Sequence, residues 1–165
     1  MRSALLHTFS FNLGYLRMML TGIEGPLWTR QPSFEGHLLP NHPLWQLGHL
    51  VVALDFAGSM LGLEKFAPAS YETAFAQNAP AVDDPSRYPA PAEVLDTLAR
   101  SHDRLAQAYT HAGEDLLGQP HGVEGFPPGV DTRGDLVVYM MISHEATHIG
   151  QLIAWRRLMG FKPMF

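Results

Sequence analysis

Two histidines, His144 and His148, have the spacing in this chain that most directly suggests chemistry. Side chains four residues apart lie on the same face of a helix, so both imidazoles can reach one metal ion. Imidazole is a common ligand of Zn, Ni, Fe and Cu. The spacing therefore predicts a metal site. The alternative is a pair of core histidines that hydrogen-bond to neighbouring groups.

A catalytic metal usually has three protein ligands and one open position, so the chain should supply a third ligand. His49 falls on the inward stripe of the second predicted helix, and we expect it to be that ligand. His102 lies on the inward stripe of the third predicted helix. We expect His102 to be a core histidine, a residue that contacts a metal ligand, or a fourth ligand. Gln151, one turn beyond His148, is expected either to hydrogen-bond a ligand or only to pack.

The segment from His144 to His148 also matches H-E-x-x-H, a peptidase pattern in which Glu145 would be the general base. None of the residues after His148 is His, Asp, Glu or Cys, which excludes a third ligand further along the chain. A residue next to a buried ligand points about 100° away around the helix. We therefore favour a structural role for Glu145 and keep the general base as the alternative.

Four segments have the apolar periodicity of helices packed nearly parallel in a bundle. The first ends at Gly22, the second starts with Asn41 as the expected N-cap, the third opens at Pro91, and the fourth starts near Thr132. The fourth carries the predicted inward stripe Val137, Met141, His144, His148, Gln151, Trp155 and Leu158. Both metal-site histidines therefore face the bundle interior.

Long connections that are rich in Pro, Gly or both separate these helices: residues 22–43, 64–90 and 114–131. Loops of this length in a small bundle often cover a pocket. The stretch 118–129, which contains His121 and Phe126, is expected to be either such a lid or a solvated surface loop.

Size and composition narrow the function classes. At 165 residues the chain is expected to form one domain, 1–165, and it has no cysteine for a disulfide or a thiolate ligand. Its net charge of −5 and the lack of a basic run argue against nucleic acid. No apolar run reaches the roughly 20 residues of a membrane span, and we expect a cytoplasmic protein.

The motifs resemble those of the DinB/YfiT-like family of metalloenzymes. His49 follows a Trp-x-x-Gly segment, Trp45 to Gly48, and the fourth helix carries His144-x-x-x-His148-x-Gly150-Gln151. The match spans nearly the whole chain. The resemblance implies an all-α, up-down-down-up four-helix bundle, a divalent metal on His49, His144 and His148, and often a homodimer.

The resemblance also implies small-molecule chemistry, including transferases that use a low-molecular-weight thiol. We expect a Zn or Ni ion on the three histidines to activate a thiol or water for attack on a small electrophile, as in an S-transferase or a hydrolase. The alternatives are an H-E-x-x-H zinc peptidase and a non-enzymatic bundle stabilised by metal. Metal binding is expected to weaken as pH falls through about 6.5. The apolar tail, residues 159–165, is expected to bury against a partner subunit or against its own bundle.

Overall fold

The computed structural model describes residues 2–38 and 41–164. Nearly all of these residues lie in helices or in the irregular connections between them. The helices are α1 (Arg2–Met19), α2 (Pro43–Met60), α3 (Ala69–Phe75), α4 (Pro91–His111), α5 (Glu114–Leu117), α6 (Arg133–Val138) and α7 (Glu145–Leu158). Short 3-10 turns occupy Gly25–Trp28 and Pro85–Arg87. Two-residue strands β1 (Ser33–Phe34) and β2 (His37–Leu38) pair antiparallel, with Ser33 opposite Leu38. No helix in the described ranges has the length and apolarity needed to cross a membrane.

Four long helical segments form the bundle: α1, α2, α4 and the segment 133–158, in which a π-helical turn (Tyr139–His144) joins α6 to α7. Around the bundle, α1 lies beside α4, α4 beside α2, α2 beside α7, and α7 beside α1. This is the expected up-down-down-up order, in which α2 and α4 run parallel as neighbours. Parallel neighbours need a connection that returns along the bundle, which explains the length of 61–90.

The π-helical turn changes the inward stripe expected for the fourth segment. A π turn contains an additional residue, so the buried face continues one position later than a regular helix would place it. Glu145, Leu152 and Trp155 are buried, whereas Gln151 and Leu158 are exposed. The prediction that Gln151 and Leu158 continue the inward stripe is therefore wrong.

Two expectations about helix starts have different outcomes. The capping box at Thr132 is present, because its side chain accepts from the backbone N–H of Asp135 and the Asp135 carboxylate accepts from the backbone of Thr132. Asn41 is not the N-cap of α2. That position is taken by His42, whose Nδ1 accepts the backbone N–H of Trp45 at 3.1 Å.

The three connections are less irregular than the sequence suggested. Helix α3 lies inside 64–90 and α5 inside 114–131, while the first connection contains a 3-10 turn and the β-hairpin.

The tail folds back on its own bundle, which was one of the two alternatives expected for it. Phe161 lies 4.4 Å below the Arg156 guanidinium, and Met164 Sδ accepts from Arg156. The final residue of the expected tail, 165, lies outside the described residues.

Helix α3 packs closely on α2 at Gly48. The ring of Phe75 occupies the space where a side chain at Gly48 would begin, so any Cβ there would overlap the ring carbons. Phe75 and Tyr71 are fully buried in the same core. The glycine in the Trp45–Gly48 motif is therefore required by the close approach of α3, immediately before His49.

Replacing Gly48 by Ala should destabilise the protein by about 1–3 kcal/mol, because the added methyl group overpacks the α2–α3 contact. Urea unfolding followed by circular dichroism measures the change. Gly150→Ala is the matched control, because Gly150 is also helical but has no packing neighbour within 4 Å of the place where a Cβ would lie. The control should be neutral or stabilising by up to about 1 kcal/mol. Equal stabilities for the two variants would contradict the packing account.

Candidate metal centre

Three imidazoles meet between α2 and the end of the π-helical turn. One candidate ligand atom from each of His49, His144 and His148 lies within 4.8 Å of the other two. The ring centroids are 4.7 Å apart for His144 and His148, and 4.9 and 5.3 Å from His49 to His148 and His144. Among the His, Asp and Glu side chains of residues 2–38 and 41–164, these three histidines are the group that lies close enough together to hold one metal ion. The structure thus brings together the three residues proposed as ligands.

The orientation of His49 is set by two contacts. Its Nδ1 lies 2.9 Å from the carbonyl oxygen of Phe75, so Nδ1–H donates to that carbonyl and the lone pair is on Nε2. The His49 ring also stacks on Trp45, at 4.8 Å between centroids and 8° between planes. Because Phe75 is the last residue of α3, a helix that the sequence did not predict supplies the carbonyl that orients His49.

The other two imidazoles have ring nitrogens without a protein partner. Nδ1 of His144 and Nδ1 of His148 are buried, and no hydrogen bond to either is present. Buried polar atoms are normally paired, so an unpaired nitrogen beside two more imidazoles needs an explanation. A metal ion would provide one, because neutral imidazole nitrogens suit Zn, Ni and related ions. The donor set therefore fits a divalent transition metal.

The imidazoles lie in the wall of a cleft of about 1100 Å³. All three long connections contribute to this cleft: the first through Gln31 and Asn41, the second through 76–81, and the third through 123–127. The indole N–H of Trp45 donates to the Ala79 carbonyl at 3.1 Å and anchors the second of these segments. The expectation that the loops surround a pocket agrees with this geometry.

Burial keeps the three imidazoles uncharged. It lowers the pKa of His49, and together with the nearby His49 it lowers the pKa of His144 to about 4. The pKa of His148 falls to about 3, first through burial and then through its two histidine neighbours, against an opposing hydrogen bond from Gln151. Neutral imidazoles retain the lone pairs that bind a metal.

Glu145 points away from the cleft into the bundle core. Its side chain is 0% exposed, and its Oε1 lies 2.5 Å from Nε2 of His102, which is 3% exposed and stacks on Phe9 at 3.8 Å. Burial raises the pKa of the Glu145 carboxyl, and the hydrogen bonds from His102 and Asn12 oppose this effect. Glu145 does not line the cleft, and His102 is not one of the three grouped imidazoles.

The π-helical turn is in contact with Asn12, a polar residue of α1 that the sequence analysis did not single out. The Asn12 amide is buried, and its Nδ2 lies 3.5 and 3.4 Å from the carbonyl oxygens of Met141 and Ile142. A π turn weakens the regular helical pairing of carbonyls, so a donor from a neighbouring helix helps to satisfy them. An Asn between the inward residues Phe9 and Leu16 was the sequence signal for this contact.

Gln151 lies at the edge of the site and is exposed. Its side chain hydrogen-bonds with His148, and its Oε1 accepts from Nδ2 of Asn41 at 3.4 Å. The contact with Asn41 connects α7 to the segment that precedes α2. Other cleft residues that sequence reasoning did not propose include Gln31, Tyr139 and Thr147. Thr147 lies between the two histidines of the fourth segment, and Tyr139 is five residues before His144, across the π turn.

The chain belongs to the DinB superfamily, whose family model matches residues 8–152. It is similar in structure to a Bacillus subtilis protein, YfiT, which is described as a probable metal-dependent hydrolase with an unusual four-helix bundle topology. The TM-score is 0.62 at 14% sequence identity, and the match covers 98% of this chain and 89% of that one. No curated protein matches the sequence significantly. The family and the four-helix fold expected from the motifs are thereby confirmed.

Metal binding should persist at pH values below about 6.5, the pKa of an ordinary histidine, where the sequence alone predicted that it would weaken. Because His144 and His148 have pKa values of about 4 and about 3, their imidazoles are still neutral near pH 5. Burial lowers the pKa of His49 as well, so the pH at which affinity for Zn²⁺ falls by half should lie clearly below about 6.5. Competition titrations with a chelator at each pH measure this. Half-loss of affinity at about pH 6.5 would contradict it.

Proposed function

We propose that this protein is a metal-dependent enzyme acting on a small molecule, with one divalent transition metal held by His49, His144 and His148. The observation that carries the proposal is the convergence of three neutral imidazoles, with ligand atoms within 4.8 Å, on an open cleft. When bound there, such a metal would lower the pKa of a thiol or water and so supply a nucleophile for attack on an electrophilic substrate. Zn and Ni are among the metals that imidazole ligands suit.

The side chains of the protein have separate tasks in this proposal. The Phe75 carbonyl keeps His49 in one tautomer, and Trp45 holds its ring orientation by stacking. Gln151 lies next to His148, where it raises the pKa of that imidazole, and its Oε1 accepts from Asn41. The loop segments around the cleft reduce the access of bulk water and contact the substrate. The cleft side of the three histidines leaves room for substrate.

A thiol S-transferase and a hydrolase both agree with this arrangement. YfiT is described as a probable metal-dependent hydrolase, which favours hydrolysis. The 14% sequence identity to YfiT, however, is evidence for a similar fold and not for the same reaction. The transferase would require a low-molecular-weight thiol as a second substrate. Both reactions use the same three ligands, so the cleft walls and not the histidines select between them.

The peptidase alternative requires Glu145 to reach a water molecule in the cleft. Its carboxylate is fully buried and paired with His102, and it does not line the cleft. We therefore propose that Glu145 is a core residue that stabilises the turn next to His144. The purely structural metal site is also less well supported, because such sites usually have four protein ligands and His102 is engaged by Glu145.

Self-association and a cytoplasmic location stay predictions. The tail that was one reason to expect a dimer packs on its own bundle through Phe161, which also reaches the space beside Gly22. The apolar tail alone therefore no longer argues for a dimer.

The function can be tested with full-length protein reconstituted with Zn²⁺ or Ni²⁺. Conjugation of monochlorobimane to a panel of neutral and charged thiols tests the transferase, and p-nitrophenyl acetate tests hydrolysis. We expect at least one reaction to depend on metal and to fall by about 100-fold or more in His148→Ala, because a ligand is lost. The proposal would be overturned if the wild-type protein were no faster than His148→Ala in both assays.

Glu145→Gln distinguishes the peptidase alternative in the same assays. The substitution keeps the size of the side chain, so the proposal expects metal content to be unchanged and turnover to stay within about threefold, since no proton is transferred through a group outside the cleft. Loss of turnover with normal metal content and normal unfolding would instead identify Glu145 as the general base.

A further inference from the structure

The cleft beside the three imidazoles has almost no charged side chains. Its lining includes one carboxylate, the exposed Glu124, and none of the 11 Lys and Arg residues of the chain. The other polar side chains that line it are uncharged amides and hydroxyls: Gln31, Asn41, Gln77, Asn78, Tyr139 and Thr147. A phosphate, sulfate or carboxylate in this cleft would therefore have no cationic side chain to pair with among the described residues that line it.

Aromatic side chains form much of the remaining wall. Phe126, from the third connection, stacks on Phe56 of α2 at 6.3 Å and meets the edge of Tyr139 at 5.9 Å. His121 supports Phe126 from behind, and its Nε2 lies 2.8 Å from the Val130 carbonyl of the same loop. The ring of Phe126 is thus held in a fixed place between the loop and the two helical segments.

Walls of this composition favour an uncharged ligand. An apolar group gains free energy when it leaves water for an aromatic surface, whereas an anion that loses its hydration without a partner is penalised. A divalent metal on the histidines would supply the concentrated positive charge that the described cleft walls lack. At most one anionic group of a ligand could then be neutralised, at the metal itself.

We propose that the cleft binds a neutral, largely apolar small molecule that carries no anionic group beyond the one that would contact the metal, and that Phe126 is a determinant of this specificity. The proposal deepens the proposed function, on which it rests for the position of the metal. The charge selectivity itself belongs to the walls. A thiol substrate with carboxylates remote from its sulfur would accordingly be a poor ligand.

Benzyl alcohol and benzoate are matched probes, because they share an aromatic ring and differ in charge. Their binding to the chelator-treated full chain can be followed near neutral pH by the NMR signal of the Trp45 indole N–H. Benzyl alcohol should bind at least about tenfold more tightly than benzoate, and Phe126→Ala should weaken it by about threefold or more. Equal or tighter binding of benzoate, or no saturable binding of benzyl alcohol, would overturn the proposal.

A pair of lysine variants tests whether the selectivity is local. Asn78→Lys puts a cation in the cleft wall, while Thr73→Lys changes the net charge equally at an exposed site of α3 that does not line the cleft. Benzoate affinity should rise by about threefold or more in Asn78→Lys and stay unchanged in Thr73→Lys. An equal rise in both variants would show that net charge, and not the cleft, rejects the anion, and would overturn the proposal.

Thiol binding to Co²⁺-loaded protein separates this proposal from the proposed function. Benzyl mercaptan should produce a sulfur-to-cobalt absorption band at a concentration at least about tenfold lower than 4-(mercaptomethyl)benzoate does. Equal affinities would overturn the charge selectivity while leaving the metal site intact. Absence of the band with both thiols would overturn thiol activation, whereas the selectivity measured with benzyl alcohol and benzoate would stand.

Discussion

The contact of Phe75 with Gly48 is the constraint on which the candidate metal centre depends. The ring of Phe75 fits against α2 only because Gly48 has no side chain, and this brings the end of α3 to the next residue, His49. There the Phe75 carbonyl accepts from Nδ1 of His49 and leaves Nε2 as the ligand atom. One packing contact therefore determines both the position of α3 and the tautomer of a proposed ligand. It also explains why a glycine precedes the histidine in the motif.

A second layer of polar contacts lies behind the other two histidines. The π-helical turn (Tyr139–His144) rotates Glu145 into the core, where the carboxylate pairs with His102. Asn12 of α1 lies against the carbonyls of the same turn. Buried polar pairs of this kind lose much of their stabilisation if one partner is removed, so they hold a single local structure. They keep Glu145 out of the cleft and leave His144 and His148 directed towards it.

The sequence was sufficient for the features that repeat or lie close together along the chain. The i, i+4 spacing of His144 and His148 and the inward position of His49 identified the three residues that meet, and the apolar periodicity located the four long helical segments. The one-residue shift at the π turn was not visible, because the sequence of a π turn resembles that of a regular helix; this is why Gln151 was placed inward. Helix α3 was missed in a connection with four prolines, although Tyr71 and Phe75, four residues apart, were a signal for it. The pairing of Glu145 with His102 joins residues far apart in sequence, and only the tertiary fold brings them together.

The central claim is that His49, His144 and His148 bind one metal ion together. Elemental analysis of the protein after reconstitution and removal of free metal tests it most directly, with the three His→Ala variants and His111→Ala, an exposed histidine at the end of α4, as the control. The account predicts about one divalent metal per chain in the wild type and in His111→Ala, and loss of most of it in each of the other three. A wild type that binds no metal, or three ligand variants that retain it fully, would contradict the account.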